Sequence, residues 1–183
     1  MEELSIVTPI NCDDLMGLKV GDRVLISGII YTARDAAHKR LIESIHKNEK
    51  LPIDIENQII YYVGPTPTRP GQIIGSCGPT TSYRMDFYTP QLLDVGLKGM
   101  IGKGIRGKEV VASIKNNKAV YFGAIGGAGA LISKSVIKSE IVAYEDLGAE
   151  AIHKLVVEKL PVIVIVDSSG NNLYEMNQFW NLI

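Results

Sequence analysis

Between Gly75 and Asp86 the chain reads Gly-Ser-Cys-Gly-Pro-Thr-Thr-Ser-Tyr-Arg-Met-Asp, gathering four hydroxyl groups and an arginine (Thr80, Thr81, Ser82, Tyr83, Arg84) behind a Gly-Pro corner. Proline fixes its own φ and lacks an N–H, so neither a strand nor a helix continues through Gly78-Pro79. The residues beyond must turn, and a turn presents backbone N–H groups and short side chains outward. Such a loop suits an anion, and the guanidinium fork of Arg84 narrows the choice to a planar, bidentate one such as a carboxylate. An ordinary polar turn with a surface arginine has the same composition.

Two other turns carry cations. In Arg34-Asp35-Ala36-Ala37-His38-Lys39-Arg40 an apolar strand-like run gives way to a helical pattern. Functional residues collect at strand carboxyl ends in such sheets, and a helix start offers unpaired donors to an anion. Here Asp35 also reads as a helix cap, and Lys39 and Arg40 read as solvated charges. In Gly102-Lys103-Gly104-Ile105-Arg106-Gly107, the glycines let the backbone approach a ligand while the Lys103 ammonium points at it. The spacing is not that of a phosphate-binding P-loop. If the three turns converge, Arg34, Arg84 and Lys103 form a site for a molecule with more than one carboxylate, with the Thr80 hydroxyl beside it. Cations favour the alkoxide form of a threonine. The chemistry available is removal of a proton from carbon next to a carboxylate, with arginine holding the developing charge. Elimination of a hydroxyl also needs a Lewis acid, and the chain shows no obvious metal ligands. These residues amount to half an active site.

The elements that must position them alternate. Arg23 to Thr32 is apolar and β-branched enough for a buried strand. Arg34 to Glu49 has helical spacing, and Gln58 to Val63 is a second strand. Thr89-Pro90 starts a helix, with threonine as cap and proline at the first position, that ends near Gly99. A very short strand at Met100-Ile101, a helix over Gly107 to Asn117 and a strand over Ala119 to Ile125 follow. Leu131 to Lys138 reads as helical, and Glu140 to Tyr144, Ala151 to Val157 and Pro161 to Asp167 read as strands before a turn at Ser168 to Asn172. This rhythm predicts an α/β fold, one domain over residues 1–183 with a mixed sheet. The glycines of Gly123 to Gly129 do not fit a dinucleotide fingerprint and are read as close helix–strand packing.

Composition excludes several classes. Of 183 residues, 46% are hydrophobic and 21% charged, ordinary for a folded protein, and a net charge of −1 offers no basic field for nucleic acid. No apolar run is long enough to cross a bilayer. The start, Met1-Glu2-Glu3-Leu4, lacks the basic and apolar regions of a signal peptide, so a cytoplasmic location is expected. Cys12 and Cys77 are too few for a zinc or iron–sulfur ligand set and are read as structural, and His38, His46 and His153 are scattered.

Four stretches in order, Thr32 to Arg40, Gly78-Pro79-Thr80-Thr81-Ser82-Tyr83-Arg84-Met85, Gly102-Lys103-Gly104, and Tyr144-Glu145-Asp146-Leu147-Gly148-Ala149-Glu150-Ala151, closely resemble the beta subunit of class I, iron–sulfur-dependent fumarate hydratases. That family includes the tartrate dehydratase beta subunit and corresponds to the C-terminal domain of single-chain relatives. The resemblance runs from Asp22 to about Asn172. It implies a swivelling β/β/α domain closing over an alpha subunit that holds a four-iron–four-sulfur cluster, so that this chain needs no metal ligand. It also implies a hetero-oligomeric hydro-lyase acting on a small dicarboxylate. By motif, Thr80 looks like the catalytic base and Lys103 an active-site cation near it. Arg34, Arg84 and Thr81 look like substrate contacts, with Asp35 and His38 orienting them from behind. The Lys103-Gly104-Ile105-Arg106 run and Ala33, Ala36 and Ala37 lean towards (S)-malate and fumarate. L-tartrate, or a non-catalytic dicarboxylate-binding or regulatory module of the same fold, are the alternatives.

Overall fold

The structure is a computed structural model and describes residues 3–124 and 129–180. Its strands are β1 (Leu4–Val7), β2 (Arg23–Thr32), β3 (Ile59–Tyr61), β4 (Gly99–Gly102), β5 (Val120–Gly123), β6 (Val136–Ala143) and β7 (Ile152–Val166). The helices are α1 (Cys12–Met16), α2 (Asp35–His46), α3 (Thr89–Asp94), α4 (Lys108–Asn117), α5 (Gly129–Ile132) and α6 (Leu173–Trp180), with short 3-10 turns at Ser82–Met85, Ser133–Ser135 and Glu145–Glu150. Among the described residues no helix is long and apolar enough to cross a membrane.

The sheet is mixed, as expected. β1 and β2, β2 and β3, β3 and β4, and β4 and β5 pair in parallel, while β7 runs antiparallel to β2, β5 and β6. Because β7 pairs with both β2 and β5, the strands β2–β3–β4–β5–β7 close into a ring. Ring closure explains why β3, β4 and β5 read as short continuous apolar runs: both faces are buried. Ile26, Ile59, Tyr61, Ile101 and Phe122 pack inside, with Leu155 and Val164 of β7. Their sequence neighbours Ile60, Met100 and Tyr121 face outward, against Leu41 of α2, Leu92 of α3 and Ile114 of α4. The strand period of two thus feeds two cores.

Three expectations need correction. Ala151–Val157 and Pro161–Asp167 are one strand, β7, in which the charged pair Glu158-Lys159 forms a bulge opposite the Ile26/Gly28 shift rather than a break. The helix expected over Leu131–Lys138 ends at Ile132, and the β-branched Val136 and Ile137 begin β6 instead. Thr89 does not cap α3: the N-cap is Tyr88, and the buried Thr89 hydroxyl donates back to the Met85 carbonyl at 2.8 Å. Ile125 and the glycines at 126 and 127 lie outside the described residues. Elements β1, α1 and α6 were not anticipated.

Close approach decides one glycine. A Cβ at Gly102 would lie 2.0 Å from the Ser82 hydroxyl oxygen and 3.0 Å from a Tyr62 ring carbon. Ser82 is buried and its hydroxyl is held at 2.9 Å from the Tyr121 hydroxyl, so it has little room to yield. Gly102→Ala is expected to cost about 1–3 kcal/mol. A urea midpoint equal to the parent's would show that the strand tolerates a side chain there.

Candidate functional site

All three cation-bearing turns leave the same edge of the sheet, the carboxyl ends of parallel strands β2, β3 and β4. After β2, Arg34 occupies the N-cap position of α2 in extended conformation and offers no side-chain cap. Glu150 caps instead: its Oε2 accepts the Ala36 N–H at 2.8 Å, and its Oε1 lies 3.5 Å from Arg34 Nη2. Gly64, just beyond β3, makes room for the guanidinium, since a Cβ there would sit 2.9 Å from Arg34 Nη1 and 2.8 Å from the Ala149 carbonyl oxygen. Arg34 Nε is buried and has no hydrogen-bond partner.

The hydroxyl loop is zipped onto the end of β4. Thr80 N–H donates to the Tyr62 carbonyl at 2.7 Å, Lys103 N–H to the Thr80 carbonyl at 3.3 Å, and Ser82 N–H to the Lys103 carbonyl at 2.9 Å. Thr81 therefore pairs with Lys103 as a parallel bridge. Thr80 and Thr81 are half-buried and Lys103 is exposed. One turn on, Arg84 Nε donates to Asp35 Oδ1 at 3.0 Å. Among the described residues its two terminal amino groups make no hydrogen bond, which leaves the bidentate end of the fork open. Asp35 is thus an Arg84 partner rather than the helix cap.

His38 lies behind this edge. It is fully buried, its Nδ1 is 2.8 Å from the Arg34 carbonyl, and its ring meets Tyr62 edge-on at 5.2 Å. The carbonyl requires the proton on Nδ1, so Nε2 is the bare nitrogen, and it has no partner. Burial pushes the His38 pKa down to about 4, the nearby Arg106 charge adding to the fall while the Arg34 carbonyl and Asp35 oppose it. Arg40, 38% exposed, also holds the exposed Asp146 through two N–H bonds and lies over the Tyr144 ring at 5.2 Å.

The residue that sequence reasoning valued only as a pattern mark is Arg106. Its side chain is 0% exposed. Nε donates to Asp86 Oδ1 at 2.7 Å, Nη2 to Thr89 Oγ1 at 2.7 Å and Nη1 to the Tyr62 hydroxyl at 3.3 Å. The guanidinium also lies over the rings of Tyr62 and Tyr121, at 5.3 and 5.0 Å. Asp86 Oδ2 in turn accepts the Gly107 N–H at 2.7 Å, and the Tyr121 hydroxyl donates to the Gly104 carbonyl at 2.9 Å. Arg106 therefore fastens the Lys103 loop to the Arg84 turn from inside. Glu150 was likewise missed as a contact, although it lies within a quoted motif.

Cavities of about 250 and 590 Å³ among the described residues are lined by Arg23 and Pro161 and by Leu51 and Asp54, away from Arg34, Thr80, Arg84 and Lys103. On the cation-bearing edge Arg84 and Lys103 are exposed and Arg34 is half-buried. A sequence model describing the fumarase C-terminus matches residues 1–177. The chain belongs to the fumarase C-terminus family. It is 40% identical over 168 residues to a Methanocaldococcus jannaschii protein provisionally named L(+)-tartrate dehydratase subunit beta, covering 88% of this chain and 86% of that one. It is 41% identical over 161 residues to the aerobic class I fumarate hydratase of Escherichia coli, and 39% over 157 residues to fumarate hydratase 2 of Leishmania major, covering 87% and 85% of this chain. The chain spans only 29% and 28% of those two enzymes.

The iron–sulfur cluster implied by the family resemblance does not fit this chain's donors. The described residues contain no group of three or more His, Cys, Asp or Glu able to hold a metal ion. Cys77 is free and buried, and burial pushes its thiol up to about 11, away from the thiolate a metal requires.

Two measurements probe this framework. Arg106→Met is expected to lower stability by about 3 kcal/mol, the low end of the cost of breaking a buried pair, because Asp86 keeps the Gly107 N–H. A loss within experimental error in urea unfolding would assign the framework to other contacts. For His38 the folded pKa is below the usual 6.5, so the unfolded chain binds more protons between pH 6.5 and 4. Stability from neutral His38 is complete above pH 6.5 and is lost as pH falls towards 4, by at most about 1.4 kcal/mol per pH unit. His38→Phe should flatten this dependence, and an unchanged slope would place the titration elsewhere.

Proposed function

We propose that this chain is the beta half of a two-part hydro-lyase that interconverts (S)-malate and fumarate. The observation that carries this reading is the joint exposure, on one open edge, of the Arg84 fork fixed at Nε by Asp35 and of Thr80 zipped beside Lys103. A carboxylate received by Arg84 comes under the control of a guanidinium whose own orientation is already set. Arg34, with an unspent buried Nε and a loose contact to Glu150, takes the second carboxylate. Thr81 borders the substrate. The Thr80 oxygen accepts the proton from the carbon next to the carboxylate, the Lys103 ammonium favours the alkoxide form, and the arginines hold the charge that develops. Asp35 and His38 keep Arg84 and Arg34 in place from behind.

Release of the hydroxyl calls for a Lewis acid, and among the described residues no group of three or more His, Cys, Asp or Glu could hold a metal ion. Together with the relative named as a beta subunit and the chain's 29% share of the Escherichia coli enzyme, this supports a hetero-oligomer in which an alpha subunit bears the cluster. The ring and its helices, one body with two cores, act as a swivelling domain closing over that subunit. Residues 1–177, matched by one family model, support a single domain across the chain. A cytoplasmic location fits the free Cys77 thiol. A second reading, L-tartrate as substrate, is favoured by the Methanocaldococcus jannaschii relative named as a tartrate dehydratase beta subunit, of which the chain covers 86%.

In the assembled enzyme, Thr80→Ala should leave folding and assembly intact and lower kcat by roughly two to four powers of ten, as loss of a general base does. Near-normal turnover would move the base to another residue. Arg84→Lys keeps the charge but loses the fork, and kcat/KM should drop about 10- to 100-fold, the worth of one charge-assisted hydrogen bond. Parent-like kinetics in the lysine variant would remove Arg84 from the clamp.

A further inference from the structure

The stretch from Tyr144 to Ala151, one of the four that carry the family resemblance, supplies none of the residues assigned above to substrate or proton. In the structure it lies along α2. Arg40 donates two N–H bonds to Asp146, and Ala36 N–H donates to Glu150 Oε2 at 2.8 Å, so the segment is tied at two points one turn apart on the helix. Beyond Glu150 the chain is sewn to the end of β2. The buried Thr32 hydroxyl donates to the Ala151 carbonyl at 3.4 Å and accepts the His153 N–H at 2.9 Å. Glu150 is thus fixed from both sides, beside the residue that leads β2 into α2.

A helix cap alone does not call for this construction. A short polar side chain at position 34 would cap α2 locally, whereas the chain places arginine there and brings the acceptor from 114 positions away. Only Oε2 is used in capping. Oε1 stands 3.5 Å from Arg34 Nη2, with both side chains 24% exposed. That is longer than an N–H···O bond, so the carboxylate attracts the guanidinium without consuming its donors. Among the described residues other restraints on Arg34 are few: Nε is buried without a partner, and Gly64 makes room for Nη1 rather than holding it. We propose that Glu150 is a positioning residue for Arg34, anchored through Oε2 and aiming the guanidinium through the charge on Oε1. The inference rests on the reading of Arg34 as the clamp for the second carboxylate. The two clamps then differ in kind. Arg84 is fixed by a hydrogen bond at Nε, and Arg34 is held by charge alone, free to adjust as the substrate arrives.

Glu150→Gln separates the two functions of this side chain in the assembled enzyme. A glutamine keeps the cap only by turning its carbonyl oxygen to Ala36, which points its amino group at Nη2, donor against donor. The KM for (S)-malate, or for L-tartrate if that is the substrate turned over, should rise about 5-fold with kcat within about twofold of the parent, the signature of lost binding. Partial unfolding would lower kcat and leave KM in place, so KM reads Arg34 rather than stability. A parent KM in the variant would reduce Glu150 to a cap and overturn the proposal. So would a lower KM, which would make Glu150 a competitor of the substrate rather than a guide for Arg34. The hydro-lyase reading is checked separately by the parent. A parent enzyme active on either substrate sustains that reading whatever the variant does, and one inactive on both removes it and the proposal together.

Discussion

A guanidinium without contact to water is costly to keep charged, and Arg106 is accommodated only because its partners converge from several parts of the chain. Asp86 and Thr89 come from the segment after the Arg84 turn, Tyr62 from the end of β3 and Tyr121 from β5. Remove any one of them and a buried charge loses part of its compensation. The same segments carry Thr80, Arg84 and Lys103, so the desolvation of Arg106 obliges the three to share an edge. Packing behind the edge lets the face itself carry exposed polar side chains such as Arg84 and Lys103.

The two arginines of that face are also steered from within. Asp35 takes the inner nitrogen of Arg84 and leaves the outer pair, and Glu150 caps α2 while holding Arg34 loosely. Both arginines already meet a carboxylate of the chain, the functional group proposed for the substrate. The site therefore spends little on reorganisation when a dicarboxylate arrives, because donor orientation is fixed before binding. Neutral His38, buried between the Arg34 carbonyl and Tyr62, adds shape without adding charge.

Local chemistry made part of this visible in the residue order. The Gly78-Pro79 corner, the glycines around Lys103 and the strand-to-helix change at Arg34 each announce a turn with its own side chains, and the mixed sheet followed from alternating patterns. What stayed hidden depends on partners far apart. Ala36 and Glu150 are separated by 114 positions, and Arg106 and Tyr62 by 44, and neither member of a pair marks the other. Glu158-Lys159 resembled a loop because a bulge in a long strand and a break between two short ones look alike locally. Thr89 next to Pro90 imitated a helix cap, and tertiary demand from Arg106 overrode that local preference.

The central claim, that this chain contributes the base and carboxylate-binding half of a split active site, is tested most directly by following fumarate formation from (S)-malate by absorbance under anaerobic conditions. The assay uses this chain together with the proposed cluster-bearing alpha subunit, and each chain alone as control. The account predicts turnover only in the mixture. Turnover of L-tartrate in place of malate would keep the division of labour and change the substrate. Inactivity of the mixture on both substrates, with the cluster intact, would contradict the account and leave the chain as a binding module.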